Sequence, residues 1–208
     1  MQDIKCTTTQ QSLDFETKEK IKARESKKKE VLQWLSTADP KTNHYLARRR
    51  FEPGTGSWFL QSNKYHNWKT SDNSFLWAQG LSGCGKTILC STVVQDMIDY
   101  CVNSPDCFIA YCYFSFNETE KQNANNLLRS ILIQLLVKCD AALNDALAIL
   151  KDIQSAVPQL ETLKDILKAV FTMPGTFYLI LDAVDECPRG YEQGNRQAVC
   201  ELLREVSS

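Results

Sequence analysis

Residues 80–87 read Gly-Leu-Ser-Gly-Cys-Gly-Lys-Thr, and they constrain the fold more than any other stretch of the chain. The spacing, Gly, four residues, then Gly-Lys-Thr, is that of a phosphate-binding loop, the Walker A motif. Small residues let the backbone curl so that successive N–H groups converge on an anion. Lys86 can reach terminal phosphates, and the Thr87 hydroxyl can enter a Mg²⁺ shell. A helix starting at this point directs the positive end of its dipole at the same phosphates. Such a loop has meaning only between a strand and a helix. The apolar run Phe75–Ala78 follows the polar turn Ser71–Ser74 and predicts the strand. Leu89, Val93, Met97 and Cys101 recur every fourth residue and predict the helix. The expected nucleotide-binding residues are Gly80, Leu81, Ser82, Gly83, Cys84, Gly85, Lys86, Thr87 and Ile88.

Composition narrows the class. The 208 residues suit one domain of ordinary size, and 43% hydrophobic content supplies its core. A net charge of −1 gives no electrostatic footprint for nucleic acid. No run of apolar residues is long enough for a membrane span, and the charged first thirty residues do not read as a signal peptide. The expectation is a cytoplasmic protein. Nine cysteines is a high number, but they are scattered, contain no C-x₂-C pair, and have only His44 and His66 as imidazole company. A zinc site and a disulfide framework are both disfavoured, so most thiols are expected to be small core residues. Cys84, inside the loop, is read as a tolerated loop residue, although neighbouring N–H groups and Lys86 could activate its thiol.

Along the chain, residues 1–13 are polar and expected to fray. Phe15–Leu35 has no Gly or Pro and carries Glu16–Lys20 and Glu25–Lys29 pairs, which predicts a solvated helix with Lys27–Lys29 on its wet face. Residues 36–74 are expected to be irregular, broken by Pro40, Pro53, Gly54 and Gly56. Their segment Arg48–Leu60 is either an anchored surface turn or a lid over a nucleotide base. Residues 107–114 form a fully apolar run and predict a buried strand. Leu128, Ile131, Leu132, Leu135 and Leu136 predict a buried helix face, followed by helices over Ala141–Ala156 and Leu160–Phe171 and a turn at Pro174–Gly175.

The second half of the site lies in Phe177–Cys187. Five apolar residues, Phe177–Leu181, predict a strand buried on both faces, with Asp182 at its carboxyl end. Ligands of open α/β sheets bind at that end. A carboxylate there can hold Mg²⁺ as a Walker B aspartate, which makes Thr87 and Asp182 the expected metal residues. Asp185 and Glu186 are the catalytic candidates, since either can orient or deprotonate an attacking water.

Taken together, Trp34–Ser36, Arg48–Leu60, the Walker A stretch from Leu76 to Val94, the strand Tyr111–Phe116 with Leu127–Leu136 behind it, and Ile180–Cys187 resemble the NACHT NTPases of the STAND group. The likeness is to the nephrocystin-type N-terminal NACHT module of fungal NLR-like proteins. A small residue after the first Walker B aspartate, here Ala183, and Asp-Glu two residues later are typical of that family. The resemblance implies a three-layer α/β P-loop NTPase core with a parallel sheet, spanning residues 36–208 behind a charged N-terminal helix and linker, residues 1–35. It implies an ATP/ADP-controlled switch that self-associates when ATP replaces ADP and hydrolyses slowly. It also implies that Gly54–Gly56 and Arg50 lie near the adenine.

The family continues past Walker B into a strand bearing a sensor arginine, then helical and winged-helix subdomains. The sequence stops at Ser208 where that strand would begin. The expectation is therefore an incomplete sheet, with an open slot between the Walker A and Walker B strands, in a fragment or truncated product. Hydrolysis in this form is expected to be slow or absent. Two other readings stay open: a non-catalytic interaction module with a relic NTPase core, and a P-loop small-molecule kinase. The kinase needs mobile lid arginines, and between residues 117 and 171 only Arg129 is present.

Overall fold

The computed structural model describes residues 3–36, 40–114, 124–139, 146, 148, 159–186 and 201. The elements are α1 (Asp3–Trp34), α2 (Pro40–Arg49), α3 (Ser57–Leu60), α4 (Asn63–Thr70), α5 (Lys86–Val102), β1 (Cys107–Tyr113), α6 (Ala124–Lys138), α7 (Leu160–Phe171) and β2 (Thr176–Asp182), with a 3₁₀ turn at Val184–Glu186. The two strands pair in parallel, from Cys107 opposite Thr176 to Tyr113 opposite Asp182. Phe114 N–H extends the ladder by donating to Asp182 O at 3.1 Å.

Alternation along the strands builds the layers. Phe108, Ala110, Cys112 and Phe114 of the first strand and Phe177, Leu179 and Leu181 of the second face one cluster. There they meet Leu128, Ile131, Leu132 and Leu135 of α6 and Leu163, Ile166 and Leu167 of α7. The intervening residues, Cys107, Tyr111, Tyr113, Tyr178 and Ile180, face a second cluster with Val93, Val94, Met97 and Cys101 of α5 and Tyr65 of α4. Parallel strands need cover on both faces, and these two helical layers supply it. The fold is an incomplete α/β core: helices on both sides of a two-stranded parallel sheet, preceded by a long helix.

Three polar side chains lock the frame. Gln134 of α6 donates to Tyr111 O at 2.9 Å and accepts from Tyr111 N–H at 3.1 Å. Its amide thus satisfies both backbone groups of Tyr111 that face away from β2 at this edge of β1. Arg129 donates to the carbonyl of Trp34, the last residue of α1, and to that of Ser36 just past it, where a cation also favours the helix dipole. On the other face, Asp96 of α5 accepts from Tyr65 Oη at 2.6 Å and Lys69 Nζ at 2.7 Å, tying α4 to α5.

Several expectations change. Phe75–Ala78 forms no strand: residues 74–81 have no regular secondary structure. A strand needs a partner for its N–H and C=O groups, and no described strand pairs here. The residues still alternate, with Leu76 packed against the α5 layer and Phe75 and Trp77 exposed. The helix expected from Phe15 begins at Asp3 instead, so residues 3–13 are helical rather than frayed. Residues 36–74, expected to be irregular, hold three helices, and Pro40 opens α2 at the first helical position, where its missing N–H costs nothing. The helix at Leu160–Phe171 has the expected bounds. The one at Ala141–Ala156 falls largely outside the described residues; of it, Ala146 and Ala148 are helical. No helix among the described residues is long and apolar enough to cross a membrane.

Leu128 is fully buried between α6 and the sheet, whereas Val137 on the same helix is exposed. Leu128→Ala is expected to cost about 2–5 kcal/mol in urea denaturation, and Val137→Ala less than about 0.5 kcal/mol. Equal costs would contradict the assigned helix face.

Candidate phosphate and metal site

The loop leaves residue 79 and turns at Ser82–Gly85 before α5 begins at Lys86. Gly83 and Gly85 have φ of 77° and 88°, a region that glycine enters without steric cost. Gly85 is the N-cap of α5 and provides no side-chain cap, so the first N–H groups of the helix lack the usual hydroxyl or carboxylate partner. Lys86 Nζ folds back over the loop and donates to Gly80 O and Leu81 O, each at 3.0 Å. Leu81, Ser82, Gly83, Cys84, Gly85 and Thr87 are exposed. Cys84 packs over Gly80, where an added Cβ would lie 2.8 Å from its Sγ. Ile88 is half-buried, and its carbonyl accepts from Ser91 Oγ and Thr92 Oγ1 at 2.7 and 3.0 Å.

Asp182 ends β2 and is 7% exposed. It belongs to the strand face that packs against α5. The link is electrostatic: burial pushes the Cys90 thiol well above its usual range, and the Asp182 charge adds to the effect. Cys90 lies three residues after Thr87 and four after Lys86, on one face of the same helix. By alternation with Tyr178 and Ile180, the carboxylate lies on the sheet face that packs against α5. After Asp182, Ala183 takes a left-handed φ of 55° and swings the chain into the 3₁₀ turn. A non-glycine residue there is uncommon and marks a tightly specified corner. Asp185 stands exposed in that turn. The side chain of Glu186 lies outside the described residues.

The structure brings further residues to this end of the sheet that periodicity did not single out. Tyr113, paired across the ladder with Asp182, has its hydroxyl 3.0 Å from His44 Nδ1. Burial, with the neighbouring Cys90 and Asp182, raises the Tyr113 phenol far above its normal range. His44 comes from α2, so this helix is docked onto the strand ends beside α5. The Gly54–Gly56 turn is close too. Gly56, at φ 83°, lies against α5, where an added Cβ would be 3.1 Å from Leu89 Cδ1 and 3.4 Å from Thr92 Cγ2. Arg48 stacks over Phe51 at 4.0 Å.

A family model described as nephrocystin 3, N-terminal, matches residues 54–208, which hold the Gly54–Gly56 turn, the phosphate loop and Asp182. The chain belongs to the nephrocystin 3 N-terminal family. The match begins within the turn that packs on α5, so α1 and α2 lie outside it. No curated protein and no solved structure matches the chain.

His44 gives the site a pH dependence. Burial lowers its pKa from the usual 6.5, Arg48 lowers it further, and a hydrogen bond with Gln95 opposes the shift. The unfolded chain therefore takes up this proton at higher pH than the folded chain. Stability from this group is full above 6.5 and falls as pH drops through 6.5 toward the depressed native value. The urea midpoint is expected to fall between neutral pH and the mid-5 range, and His44→Gln is expected to flatten that fall. A wild-type midpoint that rises on acidification would contradict the assignment.

Proposed function

We propose that this member of the nephrocystin 3 N-terminal family is the nucleotide-binding core of a NACHT-type signalling switch, Mg²⁺-dependent and governed by ATP and ADP. The observation that carries the reading is the uncapped start of α5, with Lys86 folded over it, and the buried Asp182 ending the strand face that packs against the same helix. In this reading the N–H groups of Gly83–Ile88 hold the phosphates. Lys86 exchanges its two carbonyl partners for terminal phosphate oxygens. Thr87 and Asp182 hold Mg²⁺: a hydroxyl on the first turn and a carboxylate at the adjacent strand end are a hard-oxygen donor pair suited to an ion that keeps several waters. When bound, the ion neutralises phosphate charge.

Asp185 and Glu186 would orient the attacking water, with slow turnover. The Gly54–Gly56 turn, seated on α5, borders the nucleotide. The partners in this reading are nucleotide and further copies of the chain, in a cytoplasmic NLR-like setting of the fungal kind. Arg129, the lone lid candidate of the kinase reading, is committed to the end of α1. The interaction-module reading draws on Phe75 and Trp77, which are stacked on each other and exposed to solvent.

Calorimetric titration of the wild type and Lys86→Ala with ADP and ATP separates these readings. The switch is supported by binding that Lys86→Ala weakens tenfold or more, which is about 1.4 kcal/mol. No binding by the wild type supports the interaction module, and rapid turnover with a phosphate acceptor supports the kinase.

A further inference from the structure

Helix α2 lies outside the family match, and its docking is shallow. It packs against α5 and β1, yet of residues 41–49 only Ala47 is buried, and Tyr45 and Leu46 face solvent. None of residues 41–49 belongs to either apolar cluster. Ten residues are too few for a helix to persist without tertiary support. Its anchor at the strand end is His44, whose Nδ1 lies 3.0 Å from the Tyr113 hydroxyl and whose ring meets that of Tyr111 at 5.4 Å. We infer that α2 is a proton-released strap: neutral His44 pins it across the carboxyl end of β1, and protonated His44 frees it.

Three observations carry this. First, α2 reads PKTNHYLARR, with Lys41, Arg48 and Arg49 and no carboxylate. A proton on His44 adds one more cation to a short helix, with Arg48 one turn away on the same face. Second, the side chains that meet His44 from the neighbouring elements are neutral. From β1 come the Tyr113 phenol and the Tyr111 ring, and from α5 the Gln95 amide. Acidic groups stand one residue further off: Asp99 behind Gln95, which donates to it at 2.8 Å, and Asp182 behind Tyr113, together with the Cys90 thiol. Burial acts most strongly on the imidazole and disfavours its cation, Arg48 does the same, and the Gln95 hydrogen bond opposes them. Third, α5 and β1 hold together without α2. Val94 and Met97 of α5 pack with Tyr111 and Tyr178 of the sheet, and β1 is paired with β2 along its length. The strap can therefore open locally while the core stays folded.

The sign follows from linkage. The released helix carries His44 at its ordinary value of 6.5, and the docked helix carries it lower. Docking is therefore strongest above 6.5 and weakens as pH falls below it. At about pH 5.5, a single site of this kind weakens docking by at most about tenfold. Release uncovers Tyr111 and Tyr113 at the end of β1, where Tyr113 is paired with Asp182. The strap stands apart from the nucleotide reading, since none of its parts is a phosphate or metal residue.

The test is hydrogen exchange of the full chain at about pH 7.5 and about pH 5.5, read by mass spectrometry and corrected for the intrinsic effect of pH on amide exchange. The expected result is an about three- to tenfold loss of protection in peptides spanning α2 at the lower pH, with β1 and the middle of α5 unchanged. In His44→Gln the loss is expected to vanish. Should His44→Gln undock α2 at both pH values, Arg48→Gln decides instead: removing that cation eases protonation of the docked form, so the loss is expected to shrink. Equal α2 protection at the two pH values in the wild type, or a loss shared equally by β1 and α5, overturns the proposal. So does a loss of full size in His44→Gln, or one undiminished in Arg48→Gln where that variant decides. No nucleotide is added, so the result is independent of the binding titrations.

Discussion

The parallel pairing of β1 with β2 is the constraint on which the rest depends. Parallel strands have no local turn to hold them, so their register must come from side chains on both faces. Here each strand sends alternate residues to two different helical layers. Phe108 stacks on Phe177 with ring centroids 4.9 Å apart. Tyr113 meets Asp182 at the carboxyl end. Because a one-residue slip would exchange the two faces, this register also fixes which way Asp182 points. The position of the carboxylate near α5 is thus a consequence of core packing.

Helix α5 connects the parts. Its first turn is the end of the phosphate loop, its middle packs under the sheet through Val94 and Met97, and its last residues adjoin β1 through Cys101 and Lys138. Helices α2 and α4 and the Gly54–Gly56 turn all brace its flanks, through His44 to the strand ends and through Asp96 to Tyr65 and Lys69. In the proposed reading, a loop that presents N–H groups to an anion needs a helix that does not move beneath it, and the bracing of α5 supplies that rigidity.

The features legible in the sequence were those set by local chemistry. The turn at Ser82–Gly85 and the helix from Lys86 are legible because closely spaced glycines, which enter positive φ freely, precede an apolar stripe. The strands at 107–113 and 176–182 are legible because unbroken apolar runs signal burial on both faces. The helix at Leu160–Phe171 is legible from its amphipathic stripe. What failed was set by partners distant in the chain. Phe75–Ala78 has the composition of a strand, but pairing decides a strand and no described neighbour supplies it. The helices at Pro40–Arg49 and Asn63–Thr70 were hidden by the turn residues between them. His44 and Tyr113 are 69 residues apart, and neither sits in a motif, so their contact had no sequence signal. Cys101 and Cys107, with Cα atoms 5.0 Å apart, come together because a short connection brings a helix end back to a strand start, a geometry that spacing alone did not reveal.

The central claim is that Thr87 and Asp182, drawn from a helix start and a distant strand end, serve one Mg²⁺–nucleotide site. The most direct measurement is ATP affinity with Mg²⁺ and with EDTA, in the wild type and in Asp182→Asn. The expected result is that Mg²⁺ tightens wild-type binding tenfold or more and that Asp182→Asn removes most of this gain while keeping the metal-free affinity. Wild-type binding indifferent to Mg²⁺, or an undiminished Mg²⁺ effect in Asp182→Asn, would contradict the account.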